Sequence, residues 1–171
     1  MPQPEGAELD RIREHRDQLR ITYLKAPPGP PPARGIHHVA LICRDVEETI
    51  NFYQGLLGFP LVEMVENRDY PGSTHFFFDV GHGNLLGFFD FPGHDHPAFE
   101  ETIGGLQHIA LSVTQQQFDA AKRALDDQQI DYLGPDRGVE DSLYLRDPNG
   151  AGLELYNEEV GVFNGVRLID P

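Results

Sequence analysis

The sequence has one cysteine, no tryptophan and few basic residues, and these scarcities exclude several classes of protein. Cys43 alone cannot build an internal disulfide framework, which favours a reducing compartment. The 13 basic residues face 28 acidic ones, so a surface of formal net charge -15 should repel nucleic acids and anionic lipids. Neither a membrane-spanning apolar run nor a signal-peptide core is visible. We therefore expect a cytoplasmic protein whose partner is a small molecule.

Shifts in composition along the chain predict three regions. Residues 6–20 have the charged pattern of a short helix, and residues 26–35 contain five prolines, which is typical of a stiff linker. We predict a helical arm and linker over 1–34, a single domain over 35–158 and a C-terminal tail over 159–171. A chain of 171 residues is long enough to bury the core of one such domain.

An internal repeat is the most informative feature of the sequence. GIHHVALIC (35–43) recurs as GLQHIALSV (105–113), and a helical pattern follows each copy, over 45–58 and over 114–129. Three strand-like runs come next in each half: 59–65, 74–81 and 84–91 in the first, and 130–135, 142–147 and 152–158 in the second. The sequence therefore predicts an α+β fold of two fused βαβββ modules, 35–92 and 104–158, which form one curved sheet around a shared cavity.

The repeat also distinguishes between two adjacent histidines, His37 and His38. Side chains alternate faces along a strand, so only one of them can face the cavity. In the second copy a glutamine replaces the first histidine, whereas His108 matches the second, and a small alanine lies two residues further on in both copies. Small residues beside a polar one suit a cavity wall, and the bulkier residues between them suit the core. We predict that His38 and His108 face the cavity and that His37 packs or forms hydrogen bonds.

The last strand of each module supplies a carboxylate in the second module only. Glu154 and Tyr156 alternate with leucines and should face the cavity, whereas Gly87 occupies the position of Glu154 in the first module. Two neutral imidazoles and one carboxylate form a facial triad, which suits a divalent metal with open coordination positions. The predicted metal ligands are His38, His108 and Glu154.

These motifs resemble a known family. HHVALICRDVEETINFYQGLLGF, LQHIALSV and YLRDPNGAGLELY are similar to segments of the vicinal oxygen chelate superfamily. The superfamily includes glyoxalase I, fosfomycin-resistance thioltransferases, epimerases, extradiol dioxygenases and metal-free bleomycin-binding proteins. The resemblance implies metal ligands at His38, His108 and Glu154. It also implies that a four-ligand site of the glyoxalase I kind is disfavoured, because Gly87 stands where the fourth ligand would be.

One segment resembles the extradiol dioxygenase signature in particular. LYLRDPNGAGLE (143–154) fits its second half, including Tyr144, but the leading histidine of that signature is missing. Asp136 and Arg137 occupy its region, and Arg137 is a candidate source of positive charge there. The departure leaves a lyase, isomerase or transferase open as an alternative.

Three residues are candidates for proton transfer. His75 lies on a strand of the first module, but an alignment of HFFFDV with LYLRDP pairs it with Leu143 and would turn it toward the helices. Tyr144 and Tyr156 have the better phase for reaching a bound oxyanion. The same alignment predicts an apolar aromatic lining for the cavity from Phe76, Phe78 and Phe89.

The leading hypothesis is an Fe(II)-dependent, extradiol-dioxygenase-like enzyme that acts on a small aromatic molecule with adjacent oxygens; Mn(II), Zn(II) and Ni(II) are the other metals considered. A lyase, isomerase or transferase that uses the same ligands is one alternative. A metal-free protein that sequesters a small molecule is another. We also expect a homodimer, because paired modules leave sheet edges for exchange.

Overall fold

The computed structural model describes residues 3–25, 29–95, 97, 99–135 and 141–169, which form two units, Met1–Gly35 and Ile36–Pro171. The first unit contains α1 (Gly6–Tyr23), which is three residues longer than the helix predicted over 6–20 and has no buried side chain. Among the described helices, none has the length and apolar character needed to cross a membrane.

The second unit begins with the first predicted module. Its elements are β1 (His38–Ile42), α2 (Val46–Ile50), a π-helical turn (Asn51–Leu56), β2 (Leu61–Glu66), β3 (Thr74–Asp79) and β4 (Leu85–Phe89). Asp45 caps α2, because its side chain accepts a hydrogen bond from the backbone N–H of Glu48 at 2.7 Å. The four strands form a sheet in the order β1-β4-β3-β2, in which β1 runs parallel to β4 and the other pairs are antiparallel.

The second module repeats this arrangement. Its elements are β5 (Ile109–Ser112), α3 (Gln115–Asp127), β6 (Tyr132–Leu133), β7 (Ser142–Arg146) and β8 (Gly152–Tyr156), with the sheet order β5-β8-β7-β6. Thr114 and Gln117 form a capping box at the start of α3. A short hairpin, β9 (Val162–Phe163) and β10 (Val166–Arg167), lies in the predicted tail.

The α+β class and the two βαβββ modules are therefore confirmed. In place of the single curved sheet that the sequence predicts, the described chain has two four-stranded sheets that are hydrogen-bonded separately. β1 lies at an edge of the first sheet, and β5 lies at the corresponding edge of the second.

The core lies on the face of each sheet that carries the predicted bulky residues. In the first module Phe76, Phe78 and Phe88 are fully buried, and the ring centroid of Tyr53 lies 5.2 Å from that of Phe78 and 5.0 Å from that of Phe88. The prediction that Phe76 and Phe78 line the cavity is therefore wrong. Each of these rings gains more by filling the apolar space between sheet and helix than by facing solvent.

The two modules are joined by one buried and one exposed polar contact. The hydroxyl of Tyr53 donates to Asp147 at 3.1 Å, and Asp147 is itself only 4% exposed. The side chain of Asn149 accepts a hydrogen bond from the backbone N–H of Arg44 at 2.9 Å. The turn between β7 and β8 is thus fixed to the helical segment of the first module, which sets the relative position of the two sheets.

Candidate functional site

A histidine and a carboxylate meet on the second sheet. Nε2 of His108 lies 3.2 Å from Oε2 of Glu154, whose side chain is buried in the middle of β8. Ala110 pairs with Glu154 across the parallel strands, so a methyl group is all that stands beside the carboxylate on β5. This proximity agrees with the alternation of side chains, which predicts that His108 and Glu154 both face the cavity.

Further hydrogen bonds fix both groups of the pair. The hydroxyl of Ser142 donates to Oε1 of Glu154 at 2.8 Å, which leaves Oε2 toward the histidine. Nδ1 of His108 is hydrogen-bonded to the side-chain carbonyl oxygen of Gln107. No role for Ser142 or Gln107 follows from the motifs or the repeat. Their positions opposite Tyr156 and next to His108 were the available signals.

These contacts constrain what can lie between His108 and Glu154. If Nδ1 of His108 donates its proton to Gln107, Nε2 has a lone pair unless the ring is doubly protonated. A lone pair and a carboxylate oxygen at 3.2 Å repel each other unless a proton or a metal cation lies between them. Two donors about 2.1 Å from a common ion and 3.2 Å apart subtend about 100° at that ion, an ordinary angle for cis ligands. The pair therefore fits a divalent metal.

His38 occupies the matching position in the first module. It begins β1 and shares its face with Ala40, whereas Cys43 on the other face is buried, as the repeat predicted. Nδ1 of His38 lies 2.9 Å from Nδ1 of His37, and the ring of His38 meets that of Phe77 edge-on at 5.9 Å. His37 is therefore a hydrogen-bonding neighbour of His38, in agreement with its expected role.

The structure brings two of the three predicted ligands together. Within the described ranges, no three His, Cys, Asp or Glu side chains are grouped so that they could hold one metal ion. His38 therefore does not join His108 and Glu154 in the arrangement of this single chain.

His75 faces the same side of the first sheet as His38, and the predicted orientation toward the helices is wrong. In the pairing of β3 with β4, His75 lies opposite Phe89 and Phe77 lies opposite Gly87. In the second module, Ser142 lies opposite Tyr156 and Tyr144 lies opposite Glu154. His75 is therefore the counterpart of Ser142, one residue away from the predicted match with Leu143.

The ring of His75 is stacked on Phe89 and makes a tilted contact with Phe77. Its centroid lies 3.6 Å from that of Phe89 and 4.1 Å from that of Phe77. Its Nε2 atom is buried and has no hydrogen-bond partner among the residues that the structure describes. Burial, with a smaller contribution from His38, lowers the pKa of His75 below its ordinary value, so the neutral ring is favoured. Phe89 alone of the three predicted aromatic lining residues lies on this face.

The two predicted tyrosines have different surroundings. The ring of Tyr144 meets that of His108 edge-on at 5.9 Å, beside an open cleft of about 490 Å³ that both residues line. The hydroxyl of Tyr156 donates to Glu158 at 2.7 Å and accepts from the backbone N–H of Asn164 at 3.0 Å. Tyr156 thus ties the end of β8 to the C-terminal hairpin, and Tyr144 is the tyrosine placed beside the histidine.

The remaining prediction for this region concerned Arg137 as a source of positive charge. Arg137 and Asp136 lie outside the described residues.

Comparison with known proteins places these observations in a family. Residues 35–155 match the model of the Glyoxalase/Bleomycin resistance protein/Dioxygenase superfamily. The chain is 31% identical over 135 residues to MhqO of Bacillus subtilis (strain 168), which is named as a candidate ring-cleaving dioxygenase. That match covers 76% of this chain and 42% of MhqO, so the chain spans less than half the length of this relative.

Two further proteins are similar to this chain, one in sequence and one in fold. The chain is 28% identical over 127 residues to Glyoxylase I 4 of Arabidopsis thaliana, a match that covers 71% of this chain and 70% of that protein. A variant of the fosfomycin resistance protein FosX from Listeria monocytogenes, crystallised with Mn(II) and a dihydroxypropylphosphonic acid, has a similar fold. Its TM-score is 0.58 at 19% identity, with 75% of this chain and 95% of that one covered.

Proposed function

Because the chain belongs to the glyoxalase/bleomycin resistance protein/dioxygenase superfamily, we propose that it is a metal-dependent enzyme that opens an aromatic ring bearing two adjacent oxygens. The observation that carries the proposal is the contact between His108 and Glu154, whose facing atoms lie 3.2 Å apart, a spacing and a pair of donor types that fit a shared divalent cation. The likeness to MhqO favours ring cleavage among the reactions of the superfamily.

His38, His108 and Glu154 are the proposed metal ligands. Two imidazoles and one carboxylate suit Fe(II), which is our first choice, as well as Mn(II), Zn(II) and Ni(II). Mn(II) is the ion in the FosX structure. When bound, such an ion acts as a Lewis acid toward adjacent substrate oxygens and, as Fe(II), supports reaction with dioxygen.

The residues around these ligands have separate tasks in the proposed site. Ser142 holds one oxygen of Glu154, so the other is directed toward the ion. His75 is the proposed proton acceptor on the site face of the first module; its Nε2 is buried and has no partner among the described residues, so substrate binding must expose this atom before it can take a proton from a hydroxyl. Tyr144, against the ring of His108, is placed to donate a hydrogen bond to a substrate oxygen.

We further propose that two copies of the chain complete each other's sites. Within one chain, His38 is not grouped with His108 and Glu154. β1, which carries His38, and β5, which follows His108, both lie at sheet edges in the described structure. A twofold axis that brings β1 of one copy beside β5 of the other would place His38 of each copy beside His108 and Glu154 of the other. The dimer would then contain two equivalent sites.

The proposed activity is tested by anaerobic purification of the full chain, metal analysis, and oxygen uptake on a panel of catechols. We expect bound iron and oxygen consumption in the wild type, and loss of both in His108→Ala. His82→Ala is a suitable control, because His82 lies in the turn between β3 and β4 and is not among the proposed site residues. Bound iron without oxygen consumption on any catechol would refute ring cleavage and leave the metal site standing.

A second candidate function is supported by the likeness to Glyoxylase I 4. The same ligands would then stabilise an enediolate in a lyase or isomerase that needs no dioxygen. Turnover of a 2-oxoaldehyde–thiol adduct under anaerobic conditions would support this alternative. A metal-free binding protein is the third outcome, and it predicts that His108→Ala leaves ligand affinity unchanged.

Sites shared between chains are tested by mixing two inactive variants. His38→Ala and His108→Ala each lack one ligand, but a heterodimer of the two would contain one intact site. After random exchange of subunits, about one quarter of the wild-type metal sites should return, because half of the dimers are mixed and each has one good site. If the mixture binds no more metal than the separate variants, the ligands come from a single chain.

A further inference from the structure

We propose that His37 and Gln107, the residues that precede the two histidine ligands, are matched positioning residues that hold Nδ1 of each ring and direct its Nε2 to the metal. The inference rests on the proposed metal site and adds two residues to it. Neither residue was expected to take part in the chemistry of the site.

The contact in the second module is the clearer of the two. Nδ1 of His108 is hydrogen-bonded to Oε1 of Gln107, and Nε2 of the same ring faces Glu154 at 3.2 Å. A carbonyl oxygen can only accept, so this contact places a proton on Nδ1. The other nitrogen is then free to offer a lone pair on the side where the carboxylate lies.

The first module repeats the contact with a different partner. Nδ1 of His38 lies 2.9 Å from Nδ1 of His37, so one of these nitrogens donates and the other accepts. If His38 binds a metal through Nε2, its Nδ1 must be the donor and His37 the acceptor. An imidazole nitrogen in one module and an amide oxygen in the other would thus perform the same task.

Chain geometry explains why the preceding residue can serve this purpose. Along a regular strand, neighbouring side chains point to opposite faces. His37 immediately precedes β1, which begins at His38, and Gln107 lies two residues before β5, which begins at Ile109. Outside the regular strand their side chains are not bound by strict alternation and can turn back to the neighbouring ring.

Gly152 supports the same arrangement in the second module. A Cβ atom at this position would lie 2.6 Å from the backbone oxygen of Gln107 and 3.1 Å from Cβ of His108. β8 therefore approaches this dipeptide as closely as a residue without a side chain allows. The close approach confines the backbone from which both side chains project.

The experiment compares two kinds of substitution at each position in the full-length protein. Gln107→Leu and His37→Leu remove the hydrogen-bond acceptor and put an apolar side chain of similar length in its place. Gln107→His and His37→Gln exchange the partners of the two modules and keep an acceptor. Zn(II) affinity is measured by competition with a chromophoric chelator, and thermal unfolding of the metal-free proteins serves as the control for folding.

We expect each leucine variant to bind Zn(II) about 10–100-fold more weakly, the usual effect of removing a group that orients a metal ligand. The exchanged variants should retain affinity close to that of the wild type. In the NMR spectrum of the Zn(II)-loaded protein, the Nδ1 proton of His108 should appear as a slowly exchanging downfield signal that Gln107→Leu abolishes. A purely structural role would leave that signal and the affinity unchanged.

The outcomes separate this inference from the proposed metal site. Leucine variants that bind Zn(II) as tightly as the wild type would overturn the positioning role, provided that His108→Ala and Glu154→Ala lose the metal. If the alanine variants also bind normally, or if the wild type binds no Zn(II), the proposed site itself is wrong and the positioning role falls with it. A loss of affinity in the exchanged variants equal to that in the leucine variants would also contradict the proposal.

Discussion

The hydrogen bond between Tyr53 and Asp147 allows a quantitative prediction about how the two modules are held together. Tyr53→Phe removes one hydroxyl and leaves the ring, which packs against Phe78 at 5.2 Å and Phe88 at 5.0 Å between centroids. The carboxylate of Asp147 loses one donor but still accepts from the backbone N–H groups of Asn149 at 2.9 Å and Ala151 at 2.8 Å. No buried charge is therefore left without hydrogen bonds.

The expected loss of unfolding free energy follows from these hydrogen bonds. A hydrogen bond to a charged group contributes about 1.5–3 kcal/mol, and the easier burial of phenylalanine offsets part of it, so Tyr53→Phe should cost about 1.5 kcal/mol. Asp147→Ala also leaves two backbone N–H groups without their acceptor, at about 1–3 kcal/mol each, and should cost about 4 kcal/mol or more. In urea, with a slope of about 2 kcal/mol per molar, Tyr53→Phe should lower the unfolding midpoint by about 0.75 M.

Alkaline pH gives an independent check with a definite sign. Burial, followed by the charge of Asp147, raises the pKa of Tyr53 above its ordinary value of 10.0. The neutral hydroxyl thus stabilises the fold fully below pH 10, and this contribution is lost as the pH rises further. The gap in unfolding free energy between wild type and Tyr53→Phe should shrink above pH 10. At pH 7, Tyr53→Phe should lose less unfolding free energy than Asp147→Ala. An equal loss in the two variants, or no loss in Tyr53→Phe, would refute the reasoning.

Three other predictions test the surroundings of the site. Burial raises the pKa of Cys43 to about 11 from 9.0, so the native thiol should react with a thiol reagent at least about 100-fold more slowly than in the unfolded chain; equal rates would contradict its burial. Gly152→Ala should lower the free energy of unfolding by about 1–3 kcal/mol, because the new Cβ meets backbone at 2.6 Å, whereas Gly55→Ala, with open space around it, should not. Ser142→Ala should cost about 1–3 kcal/mol in urea unfolding, because Oε1 of Glu154 loses its buried donor; an unchanged midpoint would count against that bond.

The repeat is the reason that so much of the fold was predictable from the sequence. Two copies of one pattern fix the phase of the strands twice, so the core side of Cys43 and the opposite side of His38 followed from alternation alone. The parallel pairing of β5 with β8 then placed Glu154 beside Ala110. The ends of most elements agree within about three residues, because a helix cap and turn residues mark them.

The errors arose where the two modules differ. Aligning HFFFDV with LYLRDP matched Asp79 with Asp147, since both are aspartates. Strand pairing shows instead that Asp79, opposite Leu85, corresponds to Arg146, opposite Gly152. A shift of one residue reverses every side chain of a strand, which is why His75 was assigned to the wrong face. The hydrogen bonds of Ser142 and Gln107 depend on side-chain geometry that no periodic pattern records.

The corrected register shows how the two halves of the repeat have diverged on the site face. At matching positions the first module has Phe77 and Gly87, where the second has Tyr144 and Glu154. Phe89 matches Tyr156 and stacks on His75. At these positions the first module thus presents phenylalanine rings, whereas the second module presents a carboxylate and tyrosine hydroxyl groups. If the two faces meet in a dimer as proposed, the flat ring of a substrate would lie against the first module while its oxygens face His108 and Glu154, an arrangement that favours an aromatic diol over a small, highly charged substrate.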